Sequence, residues 1–174
     1  MTNFNLEEAL ALSSRITPCL WFDDQAEDAA RFYMGIFENS RIVAITRYGS
    51  AGHDVHGRPA GSVMTVDFEL DGISFTALNG GPHFKFNEAV SLQVNCDTQE
   101  EIDYYWDKLS AGGDLRAQQC GWLKDKYGLS WQVVPVMMSD LMSDSNKEQA
   151  GRVMEAMLKM KKLDIAELER AAGK

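Results

Sequence analysis

Two stretches of the sequence carry polar residues at matched positions. The first reads DGISFTALN at 71–79 and the second YGLSWQVV at 127–134, and both place glycine, aliphatic, serine and aromatic residues in the same order. Their alignment puts Thr76 opposite Gln132. Because self-similarity of this kind is typical of a duplicated structural unit, these two side chains are the first candidates for a shared site.

A third stretch, SLQVN at 91–95, alternates polar with apolar residues. Residues two apart share a face of a strand, so Ser91, Gln93 and Asn95 are expected on one side. Hydroxyl and amide groups there would recognise a ligand by hydrogen bonds. The alternative is that they bond one another or buried water, since buried polar groups need partners whatever the function. The sequence leaves both interpretations open.

The first apolar run, ITPCLWF, adds three candidates. If Thr17 faces inward, so do Cys19 and Trp21, while Leu20 and Phe22 pack under the following helix. A nucleophilic thiol needs a base that lowers its pKa, and the predicted strands contain no histidine. We therefore expect Cys19 to be a packed thiol.

Aromatic and imidazole side chains are also candidates. Trp21 and Trp131 could stack a flat ligand, although aromatic residues on strands more often belong to the core. His53 and His56 lie in a glycine-rich loop, which is a poor preformed metal site. His83, in GGPHFKFN between the two halves, is the histidine we expect at a cavity mouth.

Composition and charge exclude several classes of protein. The chain has 174 residues, 45% of them hydrophobic, and a net charge of -9, which disfavours nucleic acid and anionic membranes as partners. Three cysteines without a CxxC motif predict neither a disulfide framework nor a zinc site. The N-terminus carries Glu7 and Glu8 where a secretory signal has positive charge, and its apolar run is short. We expect an unprocessed cytoplasmic protein.

The elements that position the candidates form two similar halves. The first reads strand, helix, then three strands, with an Asp71-Gly72 hairpin between the last two. Its helix begins at Asp24 and Glu27, which have the spacing of a capping box. The fold class predicted is α+β.

The second half repeats this order from AVSLQVNC onward. Thr98 and Glu101 have the capping-box spacing, and weaker strand signals follow at 115–124. From Ser139 the sequence favours helices, with caps expected at Ser145 and Asp164. We therefore predict one domain with paired βαβββ modules in 1–138, at about 15–80 and 88–136, and a helical extension of that domain in 139–174.

Four segments resemble a known family. They are ITPCLWFDDQAEDAARFY, FTALNGGPHFKFNEAVSLQVNC, CGWLKDKYGLSWQVVP and VMEAMLKMKKLDIAELE. They are similar to the 3-demethylubiquinone-9 3-methyltransferase-like, or PhnB-like, family of the vicinal oxygen chelate superfamily, which includes glyoxalase I, extradiol dioxygenases and bleomycin resistance proteins. The resemblance covers roughly 15–170 and implies tandem modules that curl into an open mixed β-barrel, with a homodimer as the usual assembly.

The resemblance also implies where a divalent metal would bind. The superfamily's ligand positions fall on Thr17 or Pro18, on Thr76, on Ser91 and on Gln132. Metal-dependent members use histidine, glutamine or glutamate there, because such cations want imidazole or carboxylate ligands. The set contains neither a carboxylate nor an imidazole, so we expect no metal and no cofactor.

The resulting hypothesis is a PhnB-like protein that works without a metal and binds a small organic molecule in the barrel cavity. One alternative is a metal-dependent lyase, isomerase or dioxygenase-like enzyme with an altered ligand set. Another is a methyltransferase, as the family name suggests, although no glycine-rich G-x-G-x-x-G turn follows any predicted strand. The sequence does not decide between binding and turnover.

Overall fold

The computed structural model describes residues 15–174, and their fold is α+β as predicted. The chain divides into two compact units, one ending at Lys85 and the other running from Phe86 to Lys174. Each unit holds one mixed sheet, and in this part of the chain neither sheet closes into a barrel. None of the helices in 15–174 has the length and apolarity needed to cross a bilayer.

The first unit consists of four strands and two helices. They are β1 (Cys19–Phe22), α1 (Ala26–Met34), β2 (Arg41–Arg47), α2 (His53–His56), β3 (Val63–Leu70) and β4 (Ile73–Asn79). The sheet order is β1-β4-β3-β2. β1 runs parallel to β4 and the other pairs are antiparallel. Apart from the four-residue helix α2, this is the βαβββ order predicted from the sequence.

The predicted hairpin between β3 and β4 is confirmed. Leu70 pairs with Ile73, so Asp71 and Gly72 form a two-residue turn. Their φ angles are 46° and 78°. Both central residues of such a turn need positive φ, which is why Asp-Gly favours it. The turn fixes the register that places Thr76 opposite Asp67.

Helix α1 covers one face of this sheet, but its predicted cap is wrong. Ala29, Ala30 and Tyr33 are fully buried on its inner side. No side-chain hydrogen bond from the N-terminal flank caps the helix, so Asp24 does not fill that role. Instead Asn79 Oδ1, on β4, accepts from the Ala26 N–H at 2.8 Å. A distant residue thus satisfies an orphan donor of the first turn.

The second unit has three strands and four helices in the described residues. They are β5 (Ser91–Cys96), α3 (Gln99–Ser110), β6 (Trp122–Lys124), β7 (Ser130–Pro135), α4 (Met138–Leu141), α5 (Lys147–Met157) and α6 (Ile165–Ala172). The sheet order is β5-β7-β6, with β5 parallel to β7. Helix α3 covers one face through Ile102, Trp106 and Leu109, which are buried.

This unit has one strand fewer than the first. The weak strand signals at 115–124 give a 3-10 turn at Leu115–Ala117 and the three-residue strand β6. Asp114 Oδ1 accepts from the Arg116 N–H at 2.9 Å, so a local side-chain bond stabilises the turn instead of a strand.

Two of the three helix caps predicted in the second unit are confirmed. Thr98 Oγ1 accepts from Glu101 N at 3.2 Å, and Glu101 reaches back to Asp97 N at 2.7 Å. Asp164 caps α6 as predicted. The cap of α5 is Asn146, one residue after the predicted Ser145.

The helical extension packs against the second unit. Gln99 Nε2 donates to the Leu163 carbonyl at 3.1 Å, and its Oε1 accepts from Ile165 N at 2.8 Å. Lys162 Nζ lies 2.7 Å from Asp103 Oδ1. The extension adds a buried apolar cluster of its own, made of Leu141, Val153, Leu163, Leu168 and Ala172. The polar contacts tie α6 to helix α3, and the apolar cluster ties α5 to α6.

Candidate functional site

In each unit one face of the sheet lies under its helix, and we call the other the open face. In the first unit Leu20 and Phe22 are buried on the helix side, as expected. Cys19 and Trp21 therefore lie on the open face. Cys19 pairs with Thr76 across the parallel strands, so these two predicted site residues are neighbours.

Asp67 joins this open face and was missed from the sequence. Thr76 Oγ1 donates to Asp67 Oδ1 at 2.7 Å. The signal was available, because Thr65, Asp67 and Glu69 alternate with apolar residues in VMTVDFEL. The Asp67 carboxylate therefore lies beside Thr76, one of the predicted site residues.

The surroundings of Cys19 disfavour the thiolate form of its side chain. The residue is exposed overall, but partial burial of its thiol and then the Asp67 carboxylate raise the pKa of that thiol. A thiolate is the reactive form, so both effects oppose nucleophilic chemistry. The expectation that Cys19 is a packed thiol is wrong, because the residue is exposed, but its raised pKa opposes a role as a nucleophile.

Trp21 is held by the segment that follows β4. Its Nε1 donates to the Gly81 carbonyl at 2.8 Å, and Phe84 packs edge-on with ring centroids 4.9 Å apart. His83 is exposed beside Gly81, in the same segment. Thr17 lies before β1 in exposed coil, so it is not a strand residue.

The other two histidines serve the loop that carries them. The His56 ring packs on Tyr48 with centroids 4.5 Å apart, and its Nδ1 accepts from Arg58 N at 3.0 Å. His53 and His56 approach each other edge-on at 6.0 Å. These contacts anchor the loop.

The open face of the second sheet carries the polar residues of β5 and β7. Gln93 pairs with Gln132 in the parallel register, and Ser91 pairs with Ser130. Gln132 Nε2 donates to Ser91 Oγ at 2.9 Å. Gln93 Nε2 donates to Asn95 Oδ1 at 2.7 Å, and both residues are exposed. The polar row is therefore self-bonded and accessible within its unit.

Trp131 is on the opposite face and belongs to the core. Its side chain is 2% exposed, and Nε1 donates to Asp125 Oδ2 at 2.9 Å. Asp125 also accepts from the N–H groups of Tyr127 and Leu129, so it organises the turn before β7. Stacking of a ligand on Trp131 is thereby ruled out in this fold.

The predicted metal-ligand positions do not form a donor set suited to a divalent cation. Thr76 donates to Asp67, and Ser91 accepts from the amide nitrogen of Gln132, while Thr17 lies in coil. Divalent cations of this kind are held mainly by imidazole and carboxylate ligands. Within residues 15–174 no group of three or more His, Cys, Asp or Glu side chains is arranged to hold a metal ion.

A groove on the second unit's open face was not identified from the sequence. Its volume is about 430 Å³, and its lining includes Trp122, Lys124, Ser130 and Glu88. Lys124 Nζ forms an ion pair with the Glu88 carboxylate. Trp122 pairs with Gln132 across β6 and β7, so the groove adjoins the polar row. The pairing of the strands, rather than a motif in the sequence, brings these residues together.

A family model matches most of the chain. The model of the 3-demethylubiquinone-9 3-methyltransferase family matches residues 14–134. The structure of the PhnB protein from Bacillus cereus is similar at 37% identity, with 71% of this chain and 100% of that chain covered and a TM-score of 0.61. No curated protein shows significant similarity to the chain.

More distant structures share the fold alone. PA1353 from Pseudomonas aeruginosa is 19% identical over 71% of this chain and 98% of that chain, with a TM-score of 0.54. The fosfomycin resistance protein FosX from Listeria monocytogenes, in a complex with Mn(II) and sulfate, is 13% identical over 78% and 99%, with a TM-score of 0.50.

Proposed function

Because the chain belongs to the 3-demethylubiquinone-9 3-methyltransferase (PhnB-like) family of the vicinal oxygen chelate superfamily, we propose that it binds a small organic molecule on the open faces of its sheets, without a resident metal ion. The fold by itself names no ligand, since one scaffold serves many reactions. The side chains of the open faces therefore decide which ligand can bind.

The Gln132–Ser91 hydrogen bond is the observation that carries this proposal. An amide side chain offers one carbonyl acceptor and two N–H donors, and this bond uses one of the three. The other two can serve a ligand, and the exposed amides of Gln93 and Asn95 stand beside them. A few convergent polar groups next to an aromatic wall are typical of small-molecule sites.

The first unit offers a second surface of similar character. Trp21 presents an indole fixed by Gly81, and Thr76 with Asp67 supplies a hydrogen-bonded polar pair on the same face. Cys19 lies next to Thr76, and His83 lies on the segment that holds Trp21. These residues are proposed as ligand contacts rather than as an acid, base or nucleophile.

Native mass spectrometry of the purified protein tests the proposal. We expect a noncovalent organic adduct that disappears in Gln132→Leu, which keeps the size of the side chain and removes its amide. Asn87→Leu, an exposed change outside both sheets, is the control and keeps the adduct. One divalent ion per chain surviving dialysis, measured by plasma mass spectrometry, would overturn metal independence.

Two alternatives make different predictions. A metal-dependent lyase, isomerase or dioxygenase-like enzyme requires that added Mn, Fe, Ni or Zn raise the melting temperature by mass action. A methyltransferase requires measurable binding of S-adenosylmethionine. We expect a flat metal response and no heat of S-adenosylmethionine binding in calorimetry.

The proposal includes a homodimer located in the cytoplasm. The dimer is the assembly that the resemblance to the superfamily implies, and the acidic charge of -9 is compatible with a freely dissolved protein. Light scattering coupled to size-exclusion chromatography should give twice the mass of one chain. A mass of one chain at all concentrations would contradict the dimer.

A further inference from the structure

The groove beside β6 contains a buried hydroxyl without a partner. The Ser130 Oγ accepts and donates no hydrogen bond within residues 15–174, although Ser130 is 1% exposed and lines the groove. A buried polar group normally has a partner, and an exception needs an explanation. A ligand atom in the groove would supply the missing bond.

The same groove contains a positive charge that is paired with a more exposed carboxylate. Lys124 has a side chain only 22% exposed, and it pairs with Glu88, whose side chain is 64% exposed. Lys124 belongs to the sheet, whereas Glu88 lies in irregular chain before β5. The carboxylate can therefore leave while the ammonium stays in place.

The ion pair with Lys124 contributes little free energy toward holding the Glu88 side chain in the groove. Exposed pairs gain modest Coulomb energy and lose side-chain entropy, so their contribution to stability is small. The hydrogen bond from Lys124 lowers the pKa of the Glu88 carboxyl, so Glu88 stays ionised at neutral pH. A competing carboxylate would meet the same ammonium and the same bond geometry.

We propose that this groove binds a small monocarboxylic acid with a flat apolar body, and that Glu88 occupies the acid's position when no ligand is present. The inference rests on the proposed function and names the ligand class of the same open face. The ligand carboxylate replaces Glu88 on Lys124 and bonds the Ser130 hydroxyl. Its flat body lies on the Trp122 indole, which lines the groove.

Size and position agree with this assignment. A groove of about 430 Å³ lies in the range of small-molecule sites. Trp122 pairs with Gln132, so the polar row lies next to the groove and can bond a second substituent of the ligand. The Lys124 charge selects the acid, and the Ser130 hydroxyl selects its orientation.

Benzoate and its neutral analogue benzamide provide the test. We expect benzoate to shift the Trp122 indole and Ser130 amide resonances in ¹⁵N-correlated NMR spectra, and benzamide to bind at least tenfold more weakly. Lys124→Met should abolish the benzoate shifts, and Ser130→Ala should raise the Kd several-fold. Glu88→Gln should lower the Kd several-fold, because it removes the competing carboxylate.

Glu100→Gln is the matched control. It makes the same change in net charge at an exposed position on α3, so it separates displacement of Glu88 from long-range attraction. Equal Kd values for Glu88→Gln and the parent would overturn the role of Glu88. Equal binding of benzamide and benzoate would overturn the acid class, and so would shifts from neither probe. The proposed function is judged separately by the co-purified adduct.

Discussion

Gln132 on β7 donates from Nε2 to Ser91 Oγ on β5 across 2.9 Å, at the positions where the superfamily resemblance implies metal ligands. The nitrogen end of the amide faces the hydroxyl, so one hydrogen bond joins the two side chains. A double-mutant cycle with Gln132→Ala and Ser91→Ala should give a coupling free energy of about 0.5–1 kcal/mol. Urea unfolding of the four proteins measures it.

The comparison for that cycle pairs Gln132→Ala with Asn95→Ala. Asn95 accepts from Gln93 and stands opposite Val134, so its truncation should not sense Gln132. We expect these two changes to be additive within about 0.3 kcal/mol. Additivity in the Gln132–Ser91 cycle as well would show that their bond is not formed in solution.

Asn79 holds α1 on the first sheet. Its Oδ1 accepts from Ala26 N at 2.8 Å and its Nδ2 donates to the Val63 carbonyl at 3.1 Å. Asn79→Ala should lower the free energy of unfolding by about 2 kcal/mol, since it removes a buried cap and leaves both partners unsatisfied. Asp24→Ala removes the cap that the sequence predicts, and should change it by less than about 0.5 kcal/mol. Equal losses would restore Asp24 as the cap.

Gly80 leaves room for the Trp21 indole. A Cβ at Gly80 would lie 2.2 Å from Trp21 Cζ2, far inside van der Waals contact. Gly80→Ala should destabilise the protein by about 1–3 kcal/mol, as overpacking does. Gly49→Ala is the control, because its Cβ would meet its nearest atom at 3.9 Å.

A second change identifies the clash as the cause. In a Trp21→Phe background, which removes the indole atoms nearest Gly80, the penalty of Gly80→Ala should shrink to below about 1 kcal/mol. The free energy of unfolding again supplies the measurement. An undiminished penalty would assign the effect to the backbone.

The three cysteines should differ in reactivity. Burial, and then the charges of Glu101 and Asp97, raise the pKa of the Cys96 thiol to about 12. Cys19 is exposed, and Cys120 is partly exposed. An Ellman assay at pH 8 should count two thiols in native protein and three in denaturant, and two in denatured Cys96→Ala.

The raised pKa of Cys96 also predicts a pH dependence of stability. Above its ordinary value of 9.0 the unfolded chain releases the Cys96 proton while the folded chain retains it. Stability should therefore fall as pH rises from 9 toward 12, and should be unaffected by this group below 9. Cys96→Ala should lose that part of the slope in urea unfolding between pH 9 and 10.

Sequence patterns correctly predicted the turns and caps that depend on residues close together in the chain. The Asp71-Gly72 turn and the Thr98–Glu101 cap each depend on residues within a few positions, and both form as expected. The cap of α1 comes from Asn79, 53 positions from Ala26, which no local rule could assign. The burial of Leu20 and Phe22 was also expected correctly, because strand alternation is local, whereas Thr17 lies in coil before the strand begins.

The composition of the candidate site was less predictable. Cys19 next to Thr76, and Gln93 next to Gln132, follow once the parallel registers are known. Lys124 and Glu88 are 36 positions apart, and their meeting depends on how the chain before β5 runs along β6. Tertiary register, not residue type, decides which polar groups share the open face.

The pairing of the helical extension with the chain before β6 has a consequence for solubility. The Cys120 N–H donates to the Met160 carbonyl at 2.9 Å, and the Gly121 N–H donates to the Lys161 carbonyl at 2.7 Å. Backbone donors at the margin of a sheet are otherwise a template on which another chain can add a strand and begin to aggregate. By accepting these hydrogen bonds, the C-terminal segment prevents further copies of the chain from pairing with the short edge of the second sheet.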